Sequence, residues 1–404
     1  MNKDSKNAFF RFKEQIMILA KLQTLLVDLI DSEKSFREER ISKLFGCFNE
    51  IEIHDNFSIY DAFLHLLVHL SIVKPSKADT MSLFRQILEE LVDNHSLKHA
   101  FHQSTIVNIF AKNKTLLLFL YEKGVVDISL IISHGKKHYD HIFNIFFFPE
   151  FKKNDFDYFQ TLQNHSEQEI QFLESNIENF CKYRYDGHSD EEPMNYIRND
   201  DIESFIQYIS QNENYNLNSY VKPMIYESKF EFVYGWNISR SLLEYSMMYG
   251  SIKIFKFLWA NKVSYSQNSL KYAIIGGNIE IISILDDESK YFYDEACLYQ
   301  SIQHQKHEIT DYLFQKLEKS ISNTELFGDY LYCFDFTQIY KLLNHMQIYN
   351  SNKNGDNQLT QLLIDSMEKI RAKSKDNFSL LYLHYQYLLE TYEFDINKKD
   401  QVCI

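Results

Sequence analysis

Two stretches of the chain align without a gap, "LEYSMMYGSIKIFKFL" (243–258) and "LKYAIIGGNIEIISIL" (270–285). The offset is 277 − 250 = 27 residues. It brings Leu243 onto Leu270, Tyr245 onto Tyr272, Gly250 onto Gly277, Ile254 onto Ile281 and Leu258 onto Leu285. A third copy, "LYQSIQHQKHEITDYL" (298–313), follows at 305 − 277 = 28, with Gln305 at the glycine position. A fourth, partial copy, "IRNDDIESFIQYI", sets Ile202, Phe205 and Ile206 on the same apolar positions. A unit this short cannot bury its apolar side alone, so a chain that repeats it must stack the copies.

Each copy reads as two short helices. The second carries apolar residues three and four apart, the spacing of one helical face. Gly250 and Gly277 are expected just past the first helix, where the backbone turns left-handed and a Cβ would clash. Ser251 and Asn278 are then expected to cap the second helix through a free backbone N–H. Gly276 falls where the preceding copy has Tyr249, and reads as a variable surface position.

The rest of the chain agrees with helices. Among 404 residues there are only 4 prolines and 10 glycines, too few for a turn-rich β architecture. The composition is 45% hydrophobic and 24% charged, enough to bury a core. The formal charge is −14, from 42 basic and 56 acidic residues, and the longest basic clusters are pairs such as Lys136-Lys137 and Lys152-Lys153. That argues against nucleic acid or an anionic membrane as a main partner. The first apolar run, "IMILAKLQTLLVDLI", carries Lys21 and Asp28 and reads as an amphipathic helix, with no membrane insertion. The five cysteines, Cys47, Cys181, Cys297, Cys333 and Cys403, form no Cys-x-x-Cys pair and fit a reducing compartment. The expected location is cytoplasmic, with the nucleus open. The sequons at Asn56, Asn113, Asn164, Asn237 and Asn377 read as chance matches.

The order "IFAKNKTLLLFLYEKGV", "FFFPEF", "IRNDDIESFIQYISQ", "SLLEYSMMYGSIKIFKFLWANKV", "SLKYAIIGGNIEIISIL", "LYQSIQHQKHEITDYL" carries a resemblance. It resembles the large family of divergent ankyrin-like proteins, with a domain of unknown function, expanded in some parasitic protists. The similarity covers roughly residues 100–320, most strongly 193–320. It implies stacked helix pairs and binding of other proteins, and it implies no catalytic residues. The chain departs from the ankyrin pattern in two ways. Its intervals are shorter than the usual ~33 residues, and the Thr-Pro-Leu-His start is missing. Shortened β-turn fingers are therefore expected.

The expected fold class is all-α, a helical-repeat solenoid of stacked antiparallel helix pairs. Residues 1–190 read as an N-terminal helical region with a half-repeat near 104–127, with helices over 8–30, 58–72 and 80–94. Residues 191–320 hold the repeats, and 321–404 form a C-terminal helical cap. The acidic stretch 183–193 reads as the internal boundary, 349–358 as a loop, and 359–396 as a closing helix pair.

Catalytic chemistry finds little support. "GGNIEI" lacks the Lys-Ser/Thr of a phosphate loop, and Glu280 would repel a phosphate. His95, His99 and His102, like His134, His138 and His141, have the spacing i, i+4, i+7, and His65 and His69 are four apart. On one helix such sets could hold zinc, although the Glu of a zincin motif is absent. Polar helix positions are the simpler reading. Asp200-Asp201 suits helix capping, and Asp286-Asp287 reads as a solvated turn.

The ankyrin pattern, carried over position by position, implies a binding surface on the first helices: Tyr245, Met248 and Tyr249, then Tyr272, Ile275 and Gly276, then Gln300, Gln303 and His304. Large apolar side chains exposed together mark an interface, while the same residues covered would be core. The leading functional reading is a non-enzymatic protein-binding adaptor with an unknown protein partner, no cofactor and no bound metal. The alternatives are a metal-dependent enzyme using a His triple, and a self-associating scaffold.

Overall fold

The computed structural model of the chain describes residues 3–74, 80–190, 192–212, 214–221, 225–226, 239–318 and 323–349. These are all-α apart from one pair of two-residue strands. In chain order the helices are α1 (Lys3–Ile30), α2 (Arg37–Glu50), α3 (Phe57–Val73), α4 (Thr80–Asp93), α5 (Leu97–Ala100), α6 (Gln103–Phe110), α7 (Lys114–Glu122) and α8 (Ile128–His138). There follow α9 (His141–Phe146), α10 (Phe148–Asn154), α11 (Phe156–His165), α12 (Glu167–Ser175), α13 (Ile177–Asp186), α14 (Met194–Asn199) and α15 (Ile202–Gln211). After strands β1 (Tyr220–Val221) and β2 (Arg240–Ser241) come α16 (Leu242–Tyr249), α17 (Ile252–Ala260), α18 (Leu270–Gly276) and α19 (Ile279–Glu288). The last are α20 (Glu295–Gln303), α21 (His307–Lys316), α22 (Asn323–Tyr332) and α23 (Phe336–Tyr349).

The chain divides into two compact units, residues 1–69 with 319–404, and residues 70–318. The stretch 183–193, read from sequence as a boundary, lies inside the second unit. His188 and Ser189 are buried there, and Arg198 donates to the Ser189 carbonyl. The acidic run is a junction, held because burying its backbone requires partners. Residues 350–358 of the expected loop, and the expected helix pair at 359–396, lie outside the described residues.

In the first unit α1 packs along α2 and α23. Its one buried polar side chain among the described interior positions of α1 is Gln23, whose Nε2 donates to Asp335 Oδ1 at 3.0 Å. Gln23 Oε1 accepts the Thr337 N–H at 3.0 Å, so the amide is satisfied on both ends. Phe334, between α22 and α23, is left-handed at φ 53°. His65 stacks on its ring at 5.3 Å, and His69 meets it edge-on at 5.8 Å.

In the second unit the aromatic run around Pro149 is core. Phe146, Phe147, Phe148 and Phe151 are at most 1% exposed. Between α6 and α7, Asn113 is fully buried; its Oδ1 accepts the Leu116 N–H and its Nδ2 donates to Ser71 Oγ. That burial leaves no access to the sequon at Asn113. The residues 104–127, expected to hold a half-repeat, fold as this α6–α7 pair, with Gly124 beyond it at φ 68°.

The repeated segments form four helix pairs, α14–α15, α16–α17, α18–α19 and α20–α21. The first helices α14, α16, α18 and α20 lie side by side in that order, and α15, α17 and α19 do likewise. Asp200, Gly250, Gly277 and Gln305 sit at the corresponding turns with φ of 51°, 69°, 70° and 52°. At three of them the same pair of backbone bonds closes the first helix. Ser251 N–H reaches the Ser246 carbonyl at 2.9 Å, Lys306 N–H that of Ser301 at 2.8 Å, and Asp201 N–H that of Tyr196 at 3.0 Å. Most of the apolar ladder read from sequence is interior: Leu243, Ile254, Leu258, Leu270, Ile281, Leu285, Leu298 and Leu313 are at most 2% exposed, whereas Ile206 is 44% and Ile279 59% exposed. Each such side chain contributes about 1.5–3 kcal/mol on burial.

Candidate protein-contact surface

The first-helix face expected to carry binding is closed. Tyr245, Met248, Tyr249, Tyr272, Ile275, Gln300, Gln303 and His304 are all between 0% and 8% exposed. This corrects the expectation of an exposed aromatic face. The physical cause is the close approach of neighbouring first helices and the arginines beside them. Arg198 Nη1 donates to the Tyr245 hydroxyl at 2.9 Å, and the Tyr245 and Tyr249 rings lie 4.7 Å apart. The Arg240 guanidinium sits 5.3 Å from the Tyr272 ring centre, a cation–π distance. His304 turns back on its own helix, with Nδ1 3.0 Å from the Gln300 carbonyl.

Gly276 is a second correction. A Cβ there would fall on the Met247 carbonyl oxygen and lie 3.1 Å from the Gly250 nitrogen. The position is a close approach between α16 and α18, set by backbone on both sides, and not a variable surface site. Gly277 and Gly250 take the left-handed conformation expected of them. Asn278 caps α19 as read, accepting from the Glu280 and Ile281 N–H groups at 3.0 and 3.2 Å. Its Nδ2 also donates to the Gly250 carbonyl at 3.0 Å, tying one turn to the next. Ser251 departs from its expected role: its hydroxyl donates to the Ile197 carbonyl. The cap of α17 comes instead from Asp200, whose carboxylate accepts from Lys253 and Ile254 N–H groups at 3.0 and 3.1 Å.

Lys306 lies over Gly277, its Nζ 2.7 Å from the position a Cβ would take. Asp201 caps α15 through the Ser204 N–H, and Ser204 holds its carboxyl below the usual range. Asp286 and Asp287 belong to α19 and not to a turn, and Asp286 pairs with Tyr312 and Lys316.

The histidine sets do not converge. His95 is buried beyond the end of α4, 3.3 Å from Glu90, while His99 lies in α5 and His102 caps α6. His134 and His138 share α8, which runs through Gly135, and their rings are 4.4 Å apart. Tyr139 then turns left-handed, and His141 starts α9 with its Nε2 3.0 Å from Glu169. Among the described residues no group of three His, Cys, Asp or Glu side chains is gathered to hold a metal ion. None of the described helices is long and apolar enough to cross a membrane.

Aromatic side chains do reach solvent on the loops that join successive helix pairs. Trp259 at the end of α17 lies 5.0 Å from Tyr265, and Tyr265 lies 5.4 Å from Tyr291 in an edge contact. Lys290 Nζ is 5.0 Å from the Tyr291 ring, and Phe292 is 77% exposed. The set is fixed by polar bonds. Trp259 Nε1 donates to Glu288 at 2.7 Å, Lys290 N–H donates to the Tyr265 hydroxyl, and Gln267 Nε2 donates to the Phe292 carbonyl at 2.6 Å. Sequence reading missed these residues. Their signal was the same repeat carried past the second helix, which pairs Tyr265 with Phe292 at 292 − 265 = 27.

Compared with known proteins, the chain matches no family model, no curated protein and no solved structure.

Proposed function

We propose that the chain is a non-enzymatic protein-binding adaptor, built as a solenoid of ankyrin-like helix pairs and related to the divergent ankyrin-like family it resembles. The observation that supports this most directly is the recurring turn at Asp200, Gly250, Gly277 and Gln305, with side chains that hook the first three turns to one another. A scaffold stacked through such bonds leaves its connecting loops free to vary, and such loops are where recognition residues accumulate.

The loop aromatics Trp259, Tyr265, Tyr291 and Phe292 are the proposed contact surface. Aromatic anchors dominate the energetics of protein interfaces. The partner is a protein, in the cytoplasm or nucleus, and the acidic chain disfavours nucleic acid. The reading requires no metal or cofactor.

The test is affinity purification with cross-linking, using the full chain and a Tyr291→Ala/Phe292→Ala variant. Cross-links to a partner from residues 259–268 and 289–294 are expected, and their loss in the variant. A partner retained unchanged by the variant would move the surface elsewhere. Cross-links only between copies of the chain would replace the adaptor by a self-associating scaffold.

A further inference from the structure

His134 and His138 stand one turn apart on α8, with ring centres 4.4 Å from each other. His138 is exposed. His134 is half-buried and lies 4.9 Å from the ring of Phe143 on α9, which is 1% exposed. Two further polar groups are enclosed at the same seam. Asn144 Oδ1 is pressed against Gly135, where a Cβ would fall on it, and it finds no hydrogen-bond donor among the described residues. The buried Tyr158 hydroxyl on α11 likewise lacks a partner among them. Each such group bears a desolvation cost that no bond offsets.

No carboxylate is placed to neutralise a proton on the histidine pair. On α8 itself Lys136 turns to Asp155, and Lys137 adds a positive charge near His134. Helix α6, packed against α8, carries no charged residue. On the α9 side His141 is bonded to Glu169, and Asp140 accepts the Phe143 N–H. On α10 Glu150 is held by Arg184 and Lys152 by Glu174, while Lys153 is exposed. On α11 Asp157 is at the surface. Burial first, then His138 and Lys137, push the His134 imidazole down to about 4.

We propose that the contact between α8 and α9 is an acid-sensitive joint: a proton on His134 parts α9 from α8 at the Tyr139 turn and uncovers Phe143. Separation gives water to the imidazolium, to Asn144 Oδ1 and to the Tyr158 hydroxyl together. Tyr139 is left-handed at φ 49° and 82% exposed, so the turn is held by little packing of its own. The bond to Glu169 raises His141 and keeps it charged as the pH falls, so α9 stays tied to α12 while it loses its seat on α8. A helix of six residues does not persist without that seat.

The test is hydrogen exchange of the full chain, read by mass spectrometry as protection factors so that the intrinsic effect of pH cancels. The reporters are the Asn144 and Phe147 amides, bonded to the Asp140 and Phe143 carbonyls. Between pH 7 and pH 5 they are expected to lose about twentyfold in protection, the ratio set by an imidazole that titrates at 6.5 when open and at about 4 when closed. Amides of α16–α19 are the reference and should keep theirs. His134→Gln, neutral throughout, should abolish the loss. If that variant does not fold, the comparison of α9 with α16–α19 in the native chain decides alone. Unchanged protection in α9, an equal loss in α16–α19, or a folded His134→Gln chain that still opens at pH 5 overturns the proposal.

Discussion

The α-carbon of Gly276 faces the carbonyl oxygen of Met247 with no room for a methyl group between them. Helices α16 and α18 therefore touch through backbone, and alanine at 276 must push them apart. Gly276→Ala is expected to destabilise the second unit by about 1–3 kcal/mol, the usual cost of overpacking. Gly277→Ala meets only the flexible end of Lys306, and should cost about 1–2 kcal/mol for its left-handed backbone. Gly46→Ala, in the open middle of α2, should instead stabilise by roughly 0.5–1 kcal/mol. Urea unfolding of the three variants checks the order.

Asp200 caps a helix that belongs to the next pair. Asp200→Ala should cost about 1 kcal/mol, while Asp200→Asn should retain most of the cap. Hydrogen exchange at the Lys253 and Ile254 amides is the direct readout. Protection unchanged in the alanine variant would mean that the cap contributes nothing to the stacking of the two pairs.

Acid should weaken the second unit through His134. Burial pushes its imidazole from 6.5 down to about 4, and the nearby cations of His138 and Lys137 add to the shift. Between those values the unfolded chain binds a proton that the folded chain refuses, so stability falls as pH drops from 6.5 towards 4. Above 6.5 both states are neutral at this site and the effect vanishes. His134→Gln should flatten that part of the urea-midpoint profile; parallel profiles for the two chains would refute it.

Phe292→Ala should leave stability within about 0.5 kcal/mol, as for other exposed positions away from the core. Tyr245→Ala should cost several times more, since its ring and hydroxyl are both enclosed. Equal losses in thermal melts would remove the distinction drawn between loop and first-helix aromatics.

Zinc should not be retained at either histidine triple. Equilibrium dialysis is expected to give less than about a tenth of an equivalent, because neither triple lies on a single helix face and structural zinc sites need four ligands in place.

Sequence alone reveals the helix pairs because their marks are local. Gly250 and Gly277 answer a backbone requirement at a single position, and the apolar ladder keeps its spacing through substitution. The left-handed Phe334 in "YCFDFTQIY" was not read as a turn of this kind, since no glycine marks it. The binding face was misread for a different reason. Tyr245 looks alike as an exposed anchor and as a core residue; what decides is Arg198, a residue 47 positions away that turns out to bond it. Gly276 is similar. Its demand comes from Met247 on another helix, and no pattern within "YAIIGGNIEIISIL" records that distance.

The paired strands carry a consequence for how such a chain can change. Val221 lies opposite Arg240 in the ladder, so the two ends of the stretch between them are already held together. The hooks from Asp200 to Ile254 and from Ser251 to Ile197 bypass that stretch altogether. The register of α14–α15 against α16–α17 is thus carried by side-chain hooks as well as by the strand pair, so a change that loosens one need not undo the other.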